Sequence, residues 1–189
     1  MNVFLSASVP LLGRNPQFLE TVDVIGIRES IKALVLVLLE RKGTLVFGGH
    51  PAITPLMRLL FQEAGVSPRD YITLYQSRYF VKEFPEDNSA FERIIVVDEV
   101  PGDRERSLFE MRRRMLLDSK FSSGVFIGGM EGVIDEFDLF RQWMPSVSAF
   151  PIASTGAAAL WIYRNRKVDM PELLSELTYP TLFRSILSG

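Results

Sequence analysis

Glycine turns follow several short apolar runs in this chain, and they carry the best-defined chemistry in the sequence. Gly48-Gly49 ends one such run, Gly128-Gly129 ends a second, and Ser154-Thr155-Gly156 follows a third. A glycine lets the backbone approach a ligand closely, and the unpaired N–H groups at the start of a helix attract an anion. Because an amphipathic segment begins directly after Gly129, the sequence predicts a phosphate-sized anion site at this turn.

One carboxylate of that amphipathic segment is a candidate for ligand chemistry. At about 100° per residue, Val133 and Phe137 mark the buried face of the predicted helix, and Glu136 lies next to it. Asp135 is predicted to point to solvent. Glu136 could accept hydrogen bonds from ribose hydroxyls or act as a general base. The alternative is a surface acid that the helix dipole favours near a helix N-terminus.

Three consecutive arginines, 112–114, precede the central glycine turn. Met111 and Met115 mark the buried face of their predicted helix, and Arg112 lies nearest to that face. A guanidinium fork suits a phosphate or a ribose, so Arg112 is the predicted ligand contact. Arg113 is predicted to point to water, as most charged residues on a helix surface do.

Strands and helices alternate along nearly the whole chain. Apolar periodicity predicts strands at 3–6, 45–47, 71–75, 94–97, 124–127 and 147–150, and helices at 24–42, 54–64, 103–118, 131–144 and 155–166. Residues 7–22 and 77–91 are predicted to be irregular. This alternation predicts one α/β domain over residues 1–189, with a Rossmann-like, doubly wound, mainly parallel sheet and helices on both faces. The core spans about 2–167, and a helical tail at 171–188 is predicted to break at Pro180.

All of the candidate turns follow predicted strands. In an open α/β sheet, ligands bind beyond the carboxyl ends of the strands, so these turns should meet at one edge. A single glycine pair could equally be a tight connection, and a lone loop histidine such as His50 is more often incidental; several such turns at one edge favour a nucleotide site. The predicted ligand-binding residues are Ser6, Ala7, Ser8, Gly48, Gly49, His50, Gln76, Ser77, Arg78, Arg112, Gly128, Gly129, Met130, Gly132, Glu136, Ser154, Thr155 and Gly156.

Composition excludes several classes of function. The 189 residues carry a net charge of −2, which argues against a dedicated nucleic-acid binder. The absence of cysteine excludes disulfides, zinc–thiolate sites and thiol nucleophiles, and the single histidine excludes a histidine-rich metal site. No metal site is therefore predicted. No apolar run approaches the ~20 residues that span a bilayer, and the N-terminal residues do not resemble a leader, so a cytoplasmic protein without a membrane partner is expected.

The spacing of these motifs resembles the Smf/DprA–LOG superfamily, known as SLOG. LOG (lonely-guy) enzymes carry an arginine-bearing helix followed by P-G-G-x-G-T-x-x-E, and the chain has Met111-Arg112, then Gly128-Gly129, Gly132 and Glu136. Gly48-Gly49-His50-Pro51 is similar to an earlier glycine turn of the superfamily. Ser154-Thr155-Gly156 resembles the final turn of SLOG sensor domains.

The resemblance departs from the enzyme motif in the spacing between the arginine and the glycines, which differs by a residue or two, and at three further points. Ile127 stands at the proline position, an extra residue separates Gly129 from Gly132, and Val133 replaces the threonine. These departures are similar to the SLOG sensor branch. They imply binding of a nucleotide or an NAD-derived, ADP-ribose-like signal in bacterial defence, with no required cofactor besides this ligand.

Two other functions remain open at this point. The first is a LOG-like N-glycosidase acting on a nucleoside monophosphate. In that enzyme the catalytic residues would be Glu136, which activates water or stabilises the sugar cation, and Arg112, which holds the phosphate. The second is a structural α/β subunit of a larger complex.

The predicted helix at 24–42 has more apolar surface than one sheet face can cover. Leu36, Val37 and Leu39 lie outside its main apolar stripe. This surface must be covered by the C-terminal helices or by another copy of the chain. A homodimer or homotetramer is therefore expected, as in related SLOG and LOG proteins.

Overall fold

Six parallel strands form a single sheet in the computed structural model, which describes residues 1–13 and 15–187. The strands are β1 (Asn2–Ser8), β2 (Thr44–Gly48), β3 (Ile72–Ser77), β4 (Ile94–Val97), β5 (Ser123–Gly128) and β6 (Ser148–Ile152). Their order in the sheet is β4-β3-β2-β1-β5-β6, and every neighbouring pair is parallel. The predicted Rossmann-like, doubly wound α/β fold is confirmed.

Helices cover both faces of this sheet. They are α1 (Pro16–Leu19), α2 (Val24–Glu40), α3 (Thr54–Glu63), α4 (Arg104–Leu117), α5 (Glu131–Trp143), α6 (Ala157–Asn165), α7 (Glu172–Ser175) and α8 (Tyr179–Ile186). Short 3₁₀ segments span Pro68–Asp70, Arg78–Glu83, Glu86–Ala90 and Ala153–Thr155.

The hydrophobic core has two halves, one on each face of the sheet. On one face, α2, α3 and α8 bury residues such as Leu34 and Phe183. On the other face, α4, α5 and α6 cover an aromatic group in which Phe4 and Phe140 stack with ring centroids 5.5 Å apart. Because both faces of a parallel sheet are buried, its strands are almost continuously apolar. This explains why apolar runs, rather than alternating patterns, located the strands.

The strand order reverses between β1 and β5. After β1 the chain builds outward through β2, β3 and β4, and it then returns to place β5 on the other side of β1. Ser8 at the end of β1 is the register partner of Gly128 at the end of β5. Helices on opposite faces diverge at such a point and leave a crevice beyond the strand ends.

Two local predictions were wrong. Residues 7–22 are not entirely irregular, because β1 continues to Ser8 and α1 forms behind Asn15, whose side chain accepts a hydrogen bond from the Gln17 N–H. The tail does not break at Pro180, which lies in the first turn of α8. Proline fits that position because it lacks only an N–H that the first turn leaves unpaired. Residue 188, the last of the predicted tail, lies outside the described residues.

Candidate functional site

Two adjoining cavities lie beyond the carboxyl ends of the strands. The switch cavity, of about 480 Å³, lies above the ends of β1 and β5. The aromatic cavity, of about 290 Å³, lies above the ends of β2 and β3. Both are lined by His50, Arg104 and Leu108, so they form one continuous cleft.

The two cavities differ in chemistry. The switch cavity is also lined by Ser8, Asn15, Glu105, Arg112, Met130, Glu131, Gly132 and Asp135. The aromatic cavity is also lined by Leu11, Gly49, Pro51, Tyr75, Gln76, Ser77, Phe80, Glu83, Phe84, Pro85 and Met111. One end of the cleft is thus charged, and the other is largely apolar and aromatic.

The glycine turn after β5 is required by the packing of the fold itself. Gly128 and Gly129 have φ of 55° and 87°, in the left-handed region that favours glycine. A Cβ on Gly128 would lie 2.3 Å from Ile27 Cδ1, and one on Gly129 would lie 2.2 Å from Val133 Cγ2. These glycines therefore serve the turn whether or not a ligand is bound.

Helix α5 begins directly at the switch cavity. Met130 occupies its N-cap position without a side-chain cap, and Met130 and Gly132 line the cavity. The first amides of a helix have no intrahelical acceptor, and the helix dipole adds partial positive charge there. The predicted anion site thus coincides with an uncapped helix start at the point where the strand order reverses.

Arg112 lies next to this helix start and is fixed by two carboxylates of α5. Its Nε donates to Glu136 Oε1 at 3.3 Å, and its Nη1 donates to Asp135 Oδ2 at 3.2 Å. Its side chain is only 11% exposed. A Cβ on Gly132 would stand 3.2 Å from Nη2, so the third nitrogen is directed at the first turn of α5. The carboxylates therefore hold the guanidinium with one edge toward the helix start.

Asp135 is exposed, as predicted, but sequence reasoning did not foresee its contact with Arg112. Its carboxylate pairs with Arg112 and lines the switch cavity, although its side chain remains 53% exposed. Helical periodicity gives the buried face of α5, but it contains no information on how closely α4 approaches. Glu136 is 15% exposed, and its carboxylate is engaged with Arg112.

The turn after β6 is hydrogen-bonded to the turn after β5. Thr155 is fully buried; its hydroxyl accepts from the Gly128 N–H at 2.9 Å and donates to the Ile152 carbonyl at 2.6 Å. A Cβ on Gly156 would lie 1.7 Å from the Thr21 carbonyl oxygen. Ser154 contacts the Tyr179 hydroxyl at 3.4 Å. These three predicted residues are not among those that line the two cavities.

The remaining predicted residues divide by their position at the sheet edge. Ser8, Gly49, His50, Gln76 and Ser77 line the cleft. Others do not line it. Ser6 is buried, and Ala7 packs against the core half formed with α2, α3 and α8. Gly48 lies against Met111 and Met115, and Arg78 pairs with Asp98 at 2.9 Å.

Several residues of the cleft were missed by sequence reasoning. Phe80 and Phe84 come from the segment 77–91, which was predicted to be irregular, and this segment forms the wall of the aromatic cavity. Arg104 and Leu108 extend the cleft-facing side of α4 beyond Arg112. Phe80 and Phe84 follow closely after the end of β3, and these aromatic residues are the feature of the sequence from which this wall could have been predicted.

Tyr75 lines the aromatic cavity from beneath. It is 1% exposed, and its hydroxyl lies 3.5 Å from Asp118 Oδ2. Burial, with a further contribution from the Asp118 charge, raises the pKa of Tyr75 to about 12. The phenol is therefore neutral at physiological pH.

No group of three or more metal-ligating side chains lies close together among the described residues. Within the same residues, none of the helices has the length and apolar character that crossing a membrane requires.

Comparison with known proteins agrees with this geometry. Among solved structures, the chain is similar to TM1055, a structural genomics target, with 15% identity and a TM-score of 0.54 over 97% of this chain and 98% of that one. That similarity shows the fold. A search of curated proteins found no match. The model of the SLOG cluster3 family matches residues 17–187, which include α5 and nearly the whole cleft. The chain therefore belongs to the SLOG cluster3 family.

Proposed function

We propose that the chain binds a nucleotide along the cleft, with phosphate at the switch cavity and base in the aromatic cavity. The observation that carries this proposal is the change of chemistry along one continuous cleft. The uncapped start of α5 and Arg112 suit an anion at one end, and Tyr75, Phe80 and Phe84 suit a planar ring at the other. Such a cleft suits a ligand that is charged at one end and aromatic at the other.

The proposed ligand is an NAD-derived, ADP-ribose-like signal, and the proposed role is sensing in bacterial defence. This part rests on membership of the SLOG cluster3 family and on the motif departures that resemble the sensor branch. The carboxylate of Glu136 is occupied by Arg112, which favours a positioning role for Glu136 over the activation of water. The cytoplasmic location remains a prediction from the sequence.

The second candidate is a LOG-like N-glycosidase. It is favoured by the direct contact of Arg112 with Glu136, the two charged groups that the LOG motif carries. In this enzyme, water would replace the base at the sugar carbon, and the products would be free base and a ribose phosphate.

Calorimetry and a product assay on one nucleotide panel test these proposals. The purified protein is incubated with ADP-ribose, NAD and AMP, and released base is followed by chromatography. We expect micromolar binding of ADP-ribose without release of base. Failure of all three nucleotides to bind would leave the structural-subunit hypothesis.

Arg112→Gln tests the charged end of the cleft. Loss of a charge-assisted hydrogen bond worth ~1.5–3 kcal/mol should weaken nucleotide binding roughly 10- to 100-fold. Arg113→Gln is the matched control, because Arg113 is 47% exposed and pairs with Glu110. Equal affinities of the two variants, with melting temperatures near that of the original protein, would contradict the phosphate site.

Glu136→Gln separates the sensor from the enzyme. The amide oxygen can still accept from Arg112 Nε, so a sensor should keep most of its affinity. An N-glycosidase should keep binding but lose turnover by ~100-fold or more, the usual scale for a removed general base.

A further inference from the structure

The aromatic cavity contains one buried amide whose donor group is unused. Gln76 is 5% exposed and lines this cavity. Its Oε1 accepts a hydrogen bond from Asn88 Nδ2 at 2.8 Å. Its Nε2 has no acceptor among the described residues. Nε2 is not among the fully buried side-chain atoms that lack a partner, so it is open to the cavity and can donate to an incoming acceptor.

Gly49 allows the Gln76 amide to take this position. A Cβ on Gly49 would lie only 2.2 Å from Gln76 Nε2, so any larger residue would displace the amide. This glycine has no positive φ that would require it for backbone reasons. The absence of a side chain at residue 49 therefore serves the approach of Gln76 to the end of β2.

Asn88 is the hydrogen-bond partner of the Gln76 amide, and its own Oδ1 is buried without a partner in the part of the chain that the structure describes. It is 7% exposed and lies in the 3₁₀ segment Glu86–Ala90, where its own N–H donates to the Pro85 carbonyl at 3.0 Å and its carbonyl accepts from Phe91 at 2.9 Å. An ion pair between Arg58 and Asp87 joins this segment to α3. Because Asn88 Nδ2 donates to Gln76 Oε1, the Gln76 nitrogen is left to face the ligand.

We propose that Gln76 is a base-recognition residue, donating from Nε2 to a ring nitrogen of a purine in the aromatic cavity, and that Asn88 is its positioning residue. The inference rests on the proposed nucleotide function and adds which residue recognises the base. Phe80 and Phe84 supply the apolar walls of the cavity, and Gln76 supplies directional specificity. Neutral amides commonly read purine edges in this way.

Two substitutions test whether Gln76 Nε2 donates to the base, and both keep the size of the replaced side chain. Gln76→Glu replaces the donor with an oxygen, but it keeps the acceptor for Asn88. Asn88→Asp removes the donor that orients Gln76, so the Gln76 amide should turn, donate to the new carboxylate and present its oxygen to the cavity. Both variants should weaken AMP binding about 10-fold or more, since each loses the hydrogen bond and leaves an oxygen facing the ring nitrogen.

Ribose 5-phosphate, which has no base, is the internal control. Calorimetry should give the same affinity for it, within about twofold, in the original protein and in both variants. Gln62→Glu, the same change at an exposed position of α3, should bind AMP normally. Melting temperatures of the unliganded variants report any loss of fold.

The outcomes separate this inference from the proposed function. If the original protein binds AMP and the two variants bind it equally well, the Gln76 role is wrong while nucleotide binding stands. Equal losses for AMP and ribose 5-phosphate would also overturn it, because a general disturbance of the cleft would explain them. If the original protein binds ADP-ribose but not AMP, the comparison of the variants is made with ADP-ribose, and equal affinities overturn the Gln76 role. If it binds none of the three compounds, the nucleotide function fails and the base-recognition role fails with it.

Discussion

At the scale of single residues, the cleft is built from side chains that other side chains hold in place. Arg112 is oriented by Asp135 and Glu136, and Gln76 is oriented by Asn88. The remaining nitrogen of each side chain, Arg112 Nη2 or Gln76 Nε2, faces a cavity. A polar side chain that is already held by hydrogen bonds is less mobile, which lowers the entropy cost of binding a ligand.

Tyr75 gives a pH-dependent prediction at this scale. Its folded-state pKa of about 12 lies above the ordinary value of 10.0, so folding favours the neutral phenol. This contribution is fully present below pH 10 and is lost as the pH rises through 12. Tyr75→Phe should flatten the fall in unfolding free energy over this range. Urea unfolding between pH 8 and 11.5 measures the difference, and parallel curves for the two proteins would contradict the burial argument.

At the scale of elements, the C-terminal helix α8 is part of the core although it follows the last strand. Phe183 is fully buried against α2, whereas its neighbour Arg184 forms an exposed pair with Glu40 at 2.7 Å. The hydrophobic contact should therefore dominate the stability of this element.

Two neighbouring substitutions in α8 test this ranking. Phe183→Ala should lower the unfolding free energy by ~3–5 kcal/mol, because it leaves a cavity in the core. Arg184→Gln should lower it far less, as expected for an exposed ion pair. Chemical denaturation of both variants measures the change in unfolding free energy. A larger decrease for Arg184→Gln than for Phe183→Ala would show that the ion pair, rather than the hydrophobic contact, stabilises the helix.

The sequence predicted the elements well because their signals are local. Continuous apolar runs located all six strands, and helical spacing located α2 to α6 to within a few residues. Most of the predicted cleft residues directly follow a strand, and Arg112 was predicted from its position on the helical face of α4. Asp135, Phe80 and Asn88 escaped because their placement depends on how α4, α5 and the segment 77–91 approach one another. Pro180 was misplaced because proline both ends and begins helices.

At the scale of the whole molecule, one large apolar groove lies away from the cleft. It has a volume of about 580 Å³ and runs along α2 between α3 and the start of α8. Leu36 and Leu177, at 44% and 67% exposure, line it. α8 covers part of α2. Val37, which was predicted to lie outside the main apolar stripe, is fully buried in the core, whereas Leu36 and Leu39 line the groove.

The expected homo-oligomer should use this groove. Leu36→Glu places a charge in it and should convert the oligomer to a monomer, because a buried unpaired carboxylate is costly. Leu59→Glu is the control, since Leu59 is 43% exposed on α3 and does not line the groove. Light scattering at micromolar concentration measures the mass. A monomeric original protein would refute the oligomer, and an unchanged Leu36→Glu oligomer would place its interface elsewhere.

The packing around Gly128 and Gly129 has a consequence for how relatives of this chain should be compared. Ile27 and Val133 exclude side chains at these glycines, so a relative that had lost its ligand would still need both of them. Arg112 and Gln76 carry no such constraint from the backbone. Family members that have lost ligand binding should therefore keep both glycines, whereas the positions of Arg112 and Gln76 should accept substitutions in them. A motif search on the glycines should recognise the architecture, and under the proposed nucleotide function the arginine and the glutamine are the positions expected to distinguish the members that retain a ligand.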